Sequence, residues 1–132
     1  MRIVFMGTPD FAVPSLEQLM LNGYDVVAVY TQPDRVAGRG QTLAAPPVKG
    51  AAVEWGLCLV QPDSLKSPEA VKQLAGFRPD VIVVAAFGQI LPESVLAIPP
   101  HGVVNIHPSL LPEFRGASPV ASTILSGDDF AG

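Results

Sequence analysis

Asn105 and His107 stand two residues apart and have side chains that can support acyl transfer. The preceding Val103 and Val104 favour a strand, and Pro108 should end that strand at His107. Because side chains alternate along a strand, Asn105 and His107 should share a face. The amide can donate to an oxygen that becomes anionic in a tetrahedral intermediate, and the imidazole can exchange a proton near neutral pH. The alternative is that both groups only hold a strand end in place.

The elements that would position this pair belong to an α/β pattern. Apolar runs predict further strands at Arg2–Met6, Asp25–Tyr30, Leu57–Val60 and Asp80–Ala86. Helices are expected over about 11–21, 48–56, 68–76, 93–98 and 117–125. This alternation indicates a Rossmann-like, mostly parallel sheet with helices on both faces, which binds ligands at the carboxyl ends of its strands. The first turn holds only Gly7 rather than Gly-x-Gly-x-x-Gly, so a dinucleotide site is not expected.

The segment from Thr31 to Pro47 has no clear period and is expected to be a long functional loop. It contains Arg35 and Arg39, with Asp34 as the one acidic residue. Glycines on both sides of Arg39 leave the backbone mobile, which suits an induced-fit contact with a phosphate or a base edge. The alternative is an ordinary solvated surface loop.

A second candidate binding segment, Phe87–Leu91, follows the most apolar strand. Gly88 permits a tight turn or a close approach of the backbone to a ligand. The alternative is a plain turn between a strand and a helix.

Composition limits the class of protein. The chain has 132 residues, 48% of them hydrophobic and 15% charged, which predicts one folded domain with a substantial core. The net charge of −4 means that any contact with nucleic acid must be local. The one cysteine, Cys58, is expected to be a buried structural thiol. We find no metal-ligand pattern, no membrane-spanning run and no signal peptide in the sequence, and we therefore expect a cytoplasmic protein without a metal.

The run Asn-Ile-His-Pro-Ser-Leu-Leu-Pro-x-Phe-Arg-Gly, from Asn105 to Gly116, resembles the signature of the folate-dependent formyltransferases. The resemblance implies a Rossmann-like formyltransferase fold and 10-formyltetrahydrofolate as formyl donor. It implies that Asn105 and His107 are catalytic. It also implies that the donor is held by two segments, which comprise Phe87, Gly88, Gln89, Ile90 and Leu91 and then Ser109, Leu110, Leu111 and Pro112. Phe87 stands where related sequences often have Tyr.

Two further motifs resemble those family members that formylate initiator methionyl-tRNA. They are Phe-x-Gly-Thr-Pro-Asp-Phe-Ala at the first strand, and Thr-Gln-Pro-Asp-Arg-x-Ala-Gly-Arg-Gly followed by Pro-Pro-Val-Lys. The resemblance implies that the loop enters the acceptor end of that tRNA, with Arg39 as its main basic contact and Arg35 and Arg115 as further tRNA-binding residues. It implies no obligate protein partner and no membrane.

The resemblance covers nearly the whole chain. The chain lacks, however, the family's third catalytic group, an aspartate in a Gly-Leu-Asp-Thr-Gly-like motif. We therefore expect residues 1–132 to be the N-terminal part of a formyltransferase catalytic domain, without the C-terminal tRNA-binding domain and weak or inactive alone. The alternatives are a sugar N-formyltransferase, a formyltetrahydrofolate hydrolase domain, and a non-catalytic module that binds folate or RNA.

Overall fold

The computed structural model describes residues 1–37, 42–108 and 120–125; at 36–37, 42–43, 107–108 and 120–125 only the backbone is described. Within these ranges the strands are β1 (Arg2–Gly7), β2 (Asp25–Tyr30), β3 (Arg35–Ala37), β4 (Thr42–Ala44), β5 (Leu59–Val60), β6 (Val81–Ala85), β7 (Val103–Pro108) and β8 (Val120–Leu125). The helices are α1 (Val13–Leu21), α2 (Pro47–Glu54), α3 (Pro68–Gly76) and α4 (Glu93–Leu96), and a 3-10 turn at Asp10–Ala12 precedes α1.

One sheet has the strand order β5-β2-β1-β6-β7-β8. The five strands from β5 to β7 are parallel, and β8 pairs antiparallel with β7. The chain starts in the interior at β1, moves outward through β2 to β5, and then returns to β6 on the other side of β1. The order of the strands therefore reverses between β1 and β6, which is the switch point where open α/β sheets bind ligands. The predicted Rossmann-like, mostly parallel sheet is confirmed.

Helices cover both faces of this sheet, as predicted. On one face Leu16 of α1 and Ala52 of α2 pack against Ile3 and Phe5 of β1. On the other face α3 and α4 pack against Val4 and Met6 of the same strand, through Leu74 and Val95. All four β1 side chains are at most 2% exposed, which explains why this strand is a continuous apolar run rather than an alternating one.

Local signals set most of the element ends. Ser67 Oγ accepts a hydrogen bond from the Ala70 N–H at 3.1 Å, and Pro68 is the first residue of α3. Helix α1 has no such cap, because Ala12 is its N-cap and makes no side-chain cap hydrogen bond. Strand β7 ends at Pro108, one residue later than predicted.

Three expectations of the sequence need correction. The segment between Thr31 and Pro47 contains an antiparallel hairpin, in which β3 pairs with β4. The helix expected over 117–125 is replaced by β8, whose Val120, Thr123 and Ile124 are β-branched and which pairs with the edge of β7. Cys58 is exposed rather than buried.

In the part of the chain that is described, no helix has the length and apolar character needed to cross a membrane.

Candidate functional site

Thr8 joins the two strands at the switch point. It follows β1 directly, and its hydroxyl donates to the carbonyl oxygen of Phe87, just beyond β6, at 2.7 Å. The Thr8 hydroxyl oxygen in turn accepts from the Gln32 N–H at 3.3 Å and from the buried Thr31 hydroxyl at 3.5 Å. One threonine thus connects the segments that follow β1, β2 and β6 at the carboxyl edge of the sheet.

The segment after β6 has an unusual backbone. Ala86 has a φ of 57° and Gly88 a φ of 98°, both in the left-handed region. A Cβ on Gly88 would lie 2.6 Å from Gln32 Nε2. The side-chain Nε2 of Gln89 donates to Gln32 Oε1 at 3.3 Å and to the Pro62 carbonyl oxygen at 2.9 Å. These contacts fix the turn that was predicted to meet the formyl donor.

The residues expected to bind the donor have different surroundings. Phe87 is 1% exposed and packs in the core beneath α3 and α4, so only its backbone lies at the sheet edge. Leu91 packs partly against the same core. Gly88 is exposed, Gln89 is partly buried and Ile90 is 86% exposed. The other predicted residues, Ser109, Leu110, Leu111 and Pro112, lie outside the described residues.

Asn105 lies in β7, beside Val84 of β6, and Val84 lies beside Met6 of β1. Val104 and Ile106 pack toward the core under α1 and α2, so alternation places Asn105 on the opposite face, with α3 and α4. Asn105 is partly exposed. His107 is in the same strand, two residues further on, and only its backbone is described. The structure thus brings Asn105 next to the strand that leads into Phe87–Leu91.

The predicted tRNA-binding residues are described in part. Arg35 opens β3, is exposed, and donates from Nη2 to Gln32 Oε1 at 3.2 Å. It therefore lies close to the turn after β6. Arg39 and Arg115 lie outside the described residues.

Asp34, at the base of the hairpin, has two side-chain partners. Lys49 Nζ lies 2.9 Å and 3.1 Å from its carboxylate oxygens, and Gln61 Nε2 donates to Oδ1 at 2.7 Å. The hydrogen bond from Gln61, followed by that from Lys49, lowers the pKa of Asp34 below its usual value. Gln61 Nε2 also donates to the Gln32 carbonyl oxygen at 3.1 Å.

Sequence reasoning missed most of this polar network. Its members lie close together in space, although most are far apart along the chain. They are Thr8, Thr31, Gln32, Asp34, Lys49 and Gln61. The one available signal was position, since Thr31 and Gln61 each directly follow a predicted strand and Thr8 lies two residues beyond another. Their mutual hydrogen bonds depend on the order of the strands in the sheet, which the sequence does not state.

Two other features bear on the site. An open groove of about 710 Å³ lies between α1 and α2, and none of the predicted site residues lines it. In the described ranges, no group of three or more His, Cys, Asp or Glu residues is arranged to hold a metal ion.

Comparison with known proteins identifies relatives along the whole chain. A family model described as formyl transferase matches residues 1–132. The methionyl-tRNA formyltransferase of Dehalococcoides mccartyi is 61% identical over 132 residues, which are all of this chain and 42% of that protein. The Geobacter metallireducens protein of the same name is 54% identical over the same coverage. The chain thus spans about two fifths of the length of these curated relatives.

Solved structures with the same fold are more distant in sequence. The phosphoribosylglycinamide formyltransferase of Brucella melitensis superposes with a TM-score of 0.63 at 20% identity, over 97% of this chain and 74% of that one. The corresponding Bacillus halodurans structure gives a TM-score of 0.62 at 18% identity, over 96% and 80%. At these identities the likeness establishes the fold alone.

Proposed function

Because this chain belongs to the formyl transferase family, we propose that the protein that contains it transfers a formyl group from 10-formyltetrahydrofolate to the amino group of methionyl initiator tRNA. The observation that carries the proposal is the 61% identity, over every residue of the chain, with a relative named for that reaction. The enzyme would act in translation initiation in the cytoplasm, where charged initiator tRNA is used.

The turn after β6 fits a folate donor. Gly88 exposes its backbone beside the switch point, and Ile90 offers an apolar side chain that is 86% exposed. Flat, partly apolar ligands are bound by such a combination of apolar surface and backbone polar groups. Phe87–Leu91 and Ser109–Pro112 would hold the donor, which supplies the formyl group when bound.

Asn105 and His107 would perform the chemistry. The Asn105 amide donates a hydrogen bond to the formyl oxygen as negative charge builds on it, and this lowers the barrier. His107 would accept the proton released by the acceptor amine as the new C–N bond forms. A proton would return to N10 of the departing tetrahydrofolate as the bond between N10 and the formyl carbon breaks. The position of Asn105, on the strand next to β6, supports this assignment because it adjoins the proposed donor site.

The arginines of the hairpin and the following loop would contact the tRNA. Arg35 is exposed at the start of β3, and Asp34 beside it is already paired with Lys49. The positive charge of Arg35 is therefore available to phosphates, which bind guanidinium groups well, and Arg39 would add a second contact. Arg115 would add a third contact.

These relatives are more than twice as long as the chain, since it covers 42% of them. This supports the further proposal that residues 1–132 are the N-terminal part of the catalytic domain, and that a downstream aspartate and a tRNA-binding domain complete the enzyme.

The test is an assay of formyl transfer by the full-length natural protein to methionyl-tRNA, to amino sugar nucleotides and to water. We expect transfer to methionyl-tRNA, and a turnover roughly two to three orders of magnitude lower in Asn105→Ala, as for loss of one oxyanion donor. Asn22→Ala is the matched control, because Asn22 is exposed at the end of α1. Transfer to a sugar or to water alone, or unchanged turnover in Asn105→Ala, would contradict the proposal.

A further inference from the structure

We propose that Asp34, held by Lys49 and Gln61, is a positioning residue that fixes the β3–β4 hairpin for its contact with tRNA. The identity of the hairpin's ligand rests on the proposed function. The inference about position rests on the contacts at the base of the hairpin.

The hairpin has little else to orient it. In the described residues β3 and β4 pair only with each other and form a two-stranded sheet separate from the main one. An isolated two-stranded hairpin is marginally stable in water. Its direction relative to the sheet must therefore come from contacts where it enters and leaves the body of the protein.

The Asp34–Lys49 pair closes this base. Asp34 is the residue immediately before β3, and Lys49 lies in the first turn of α2, shortly after β4. The carboxylate and the ammonium group meet at 2.9 Å. The pair therefore ties the entry of the hairpin to the helix that follows its exit. The Val48 N–H in turn donates to the Thr8 carbonyl oxygen at 3.3 Å, which anchors α2 beside the switch point.

Gln61 connects the same base to the edge of the main sheet. It directly follows β5, and its amide nitrogen reaches the Gln32 carbonyl oxygen at 3.1 Å and Asp34 Oδ1 at 2.7 Å. These two acceptors flank Pro33, whose ring fixes its own φ. The backbone that leads into β3 is therefore held on both sides of a residue that is itself stiff.

Charge gives the pair a second effect. Asp34 is the one acidic residue between Thr31 and Pro47, a segment that also carries Arg35 and Arg39. An unpaired carboxylate there would repel phosphates. Lys49 neutralises the Asp34 carboxylate. The position of the hairpin and the charge at its base therefore both depend on the Asp34–Lys49 pair.

This interaction should matter locally rather than globally. The Asp34 and Lys49 side chains are each 29% exposed, and pairs of this exposure contribute little to overall stability. The free energy of local opening can nevertheless change while the free energy of global unfolding stays the same. Loss of the pair should thus loosen the hairpin while the sheet remains folded.

The experiment uses the full-length natural protein with Asp34→Asn and Lys49→Met. Each should raise the KM for methionyl-tRNA about tenfold, equivalent to about 1.4 kcal/mol, and leave kcat and the KM for the donor within about twofold. Hydrogen exchange of the β3 and β4 amides should accelerate in the absence of tRNA. The matched controls are Asp25→Asn, at the far end of β2, and Lys72→Met, on α3; both residues are exposed.

The exchanged pair, Asp34→Lys with Lys49→Asp, should restore slow exchange in the hairpin, because the charge pair re-forms and the Gln61 side-chain oxygen can accept from the ammonium group placed at position 34. A large fall in Tm with equal damage to donor and tRNA kinetics would overturn the proposal, since it would show a general structural role. Unchanged exchange and unchanged KM would also overturn it. If methionyl-tRNA is not a substrate, the proposed function fails, and the exchange measurement alone then decides whether Asp34 positions the hairpin.

Discussion

Gly88 and Gln32 are in close contact: a Cβ at position 88 would lie 2.6 Å from Gln32 Nε2, so the Gln32 side chain would have to move. The two residues belong to the segments after β6 and β2, which the proposed function assigns to the donor and to the base of the tRNA-binding hairpin. A side chain at position 88 would therefore disturb both segments.

Gly88→Ala should destabilise the protein by about 1–2 kcal/mol, because its φ of 98° disfavours any residue with a Cβ, and should weaken donor binding. Introducing Gln32→Ala as well should recover part of the loss, since it removes the clash but not the strain. Chemical denaturation of the four members of this cycle measures the coupling.

Gly50→Ala in α2 is the control, because nothing lies within 4 Å of a Cβ placed at that position, and it should stabilise the fold by about 0.5–1 kcal/mol. If the effects of Gly88→Ala and Gln32→Ala on the free energy of unfolding simply add, the proposed clash between the two positions is contradicted.

Thr8→Val keeps the shape of the side chain but removes the hydroxyl that bridges β1 and β6. It leaves the Phe87 carbonyl oxygen without its 2.7 Å donor and should reduce the free energy of unfolding by about 1–2 kcal/mol. Thr8→Ser retains the hydroxyl and should lose much less. Urea titration distinguishes the two, and equal losses would mean that the methyl group matters rather than the hydrogen bond.

Tyr30→Phe should stabilise the protein by up to about 1 kcal/mol, because the Tyr30 hydroxyl is buried and has no hydrogen-bond partner among the described residues. Burial, with a smaller effect of Cys58, raises the pKa of Tyr30. A raised pKa keeps Tyr30 neutral in the fold. Above the ordinary tyrosine value of about 10 the unfolded wild-type chain ionises first, so the stability of the wild type is complete below that pH and falls above it. Thermal melts at pH 7 and above pH 10 should show a growing advantage of the variant. Tyr24→Phe, on an exposed tyrosine, is the control.

Acid should release the contact between Asp34 and its partners. Since Gln61 and Lys49 lower the pKa of Asp34, its ionised form favours the native structure. The resulting stabilisation is present above the ordinary aspartate value of about 3.9 and disappears as the pH falls through the lowered one. Hydrogen exchange in the hairpin, corrected for its intrinsic pH dependence, should therefore stay constant from pH 7 to about pH 5 and rise only at lower pH. In Lys49→Met the rise should begin at higher pH.

Arg39→Ala should weaken binding of methionyl-tRNA and reduce the slope of log K against log salt concentration by roughly 0.7–0.9, the value for one lost phosphate contact. Donor affinity should not change. Arg78→Ala is the control, since Arg78 is exposed beyond the C-terminus of α3. An unchanged slope would assign Arg39 to a contact with a base rather than a phosphate.

The sequence predicted the sheet well because burial on both faces leaves a plain signal. The apolar runs Arg2–Met6 and Asp80–Ala86 predicted strands that the structure has at Arg2–Gly7 and Val81–Ala85. The sequence also predicted Asn105 near the carboxyl end of a strand, and in the structure that strand, β7, pairs with β6.

The wrong predictions concern segments whose secondary structure is decided by contacts with residues distant in the sequence. The residues of β3 and β4 carry no alternating apolar pattern, and their pairing shows only in three dimensions. The 120–125 segment has enough β-branched residues to pair with an open strand edge, although its pattern also suits a helix. The Thr8 to Phe87 bond spans 79 positions along the chain, so no local pattern could reveal it.

The interior place of β1 has a consequence for the order of events during synthesis. β1 is made before both of its neighbours, and it pairs on one side with β2 and on the other with β6, where Ile3 lies opposite Val81. At about 5–20 residues per second, the ribosome needs on the order of 10 s to deliver that second neighbour. During this interval an apolar strand edge stays uncovered, a template for pairing with other chains. Shielding of this edge, for example by a chaperone, should therefore favour correct folding until the middle of the sheet has left the exit tunnel.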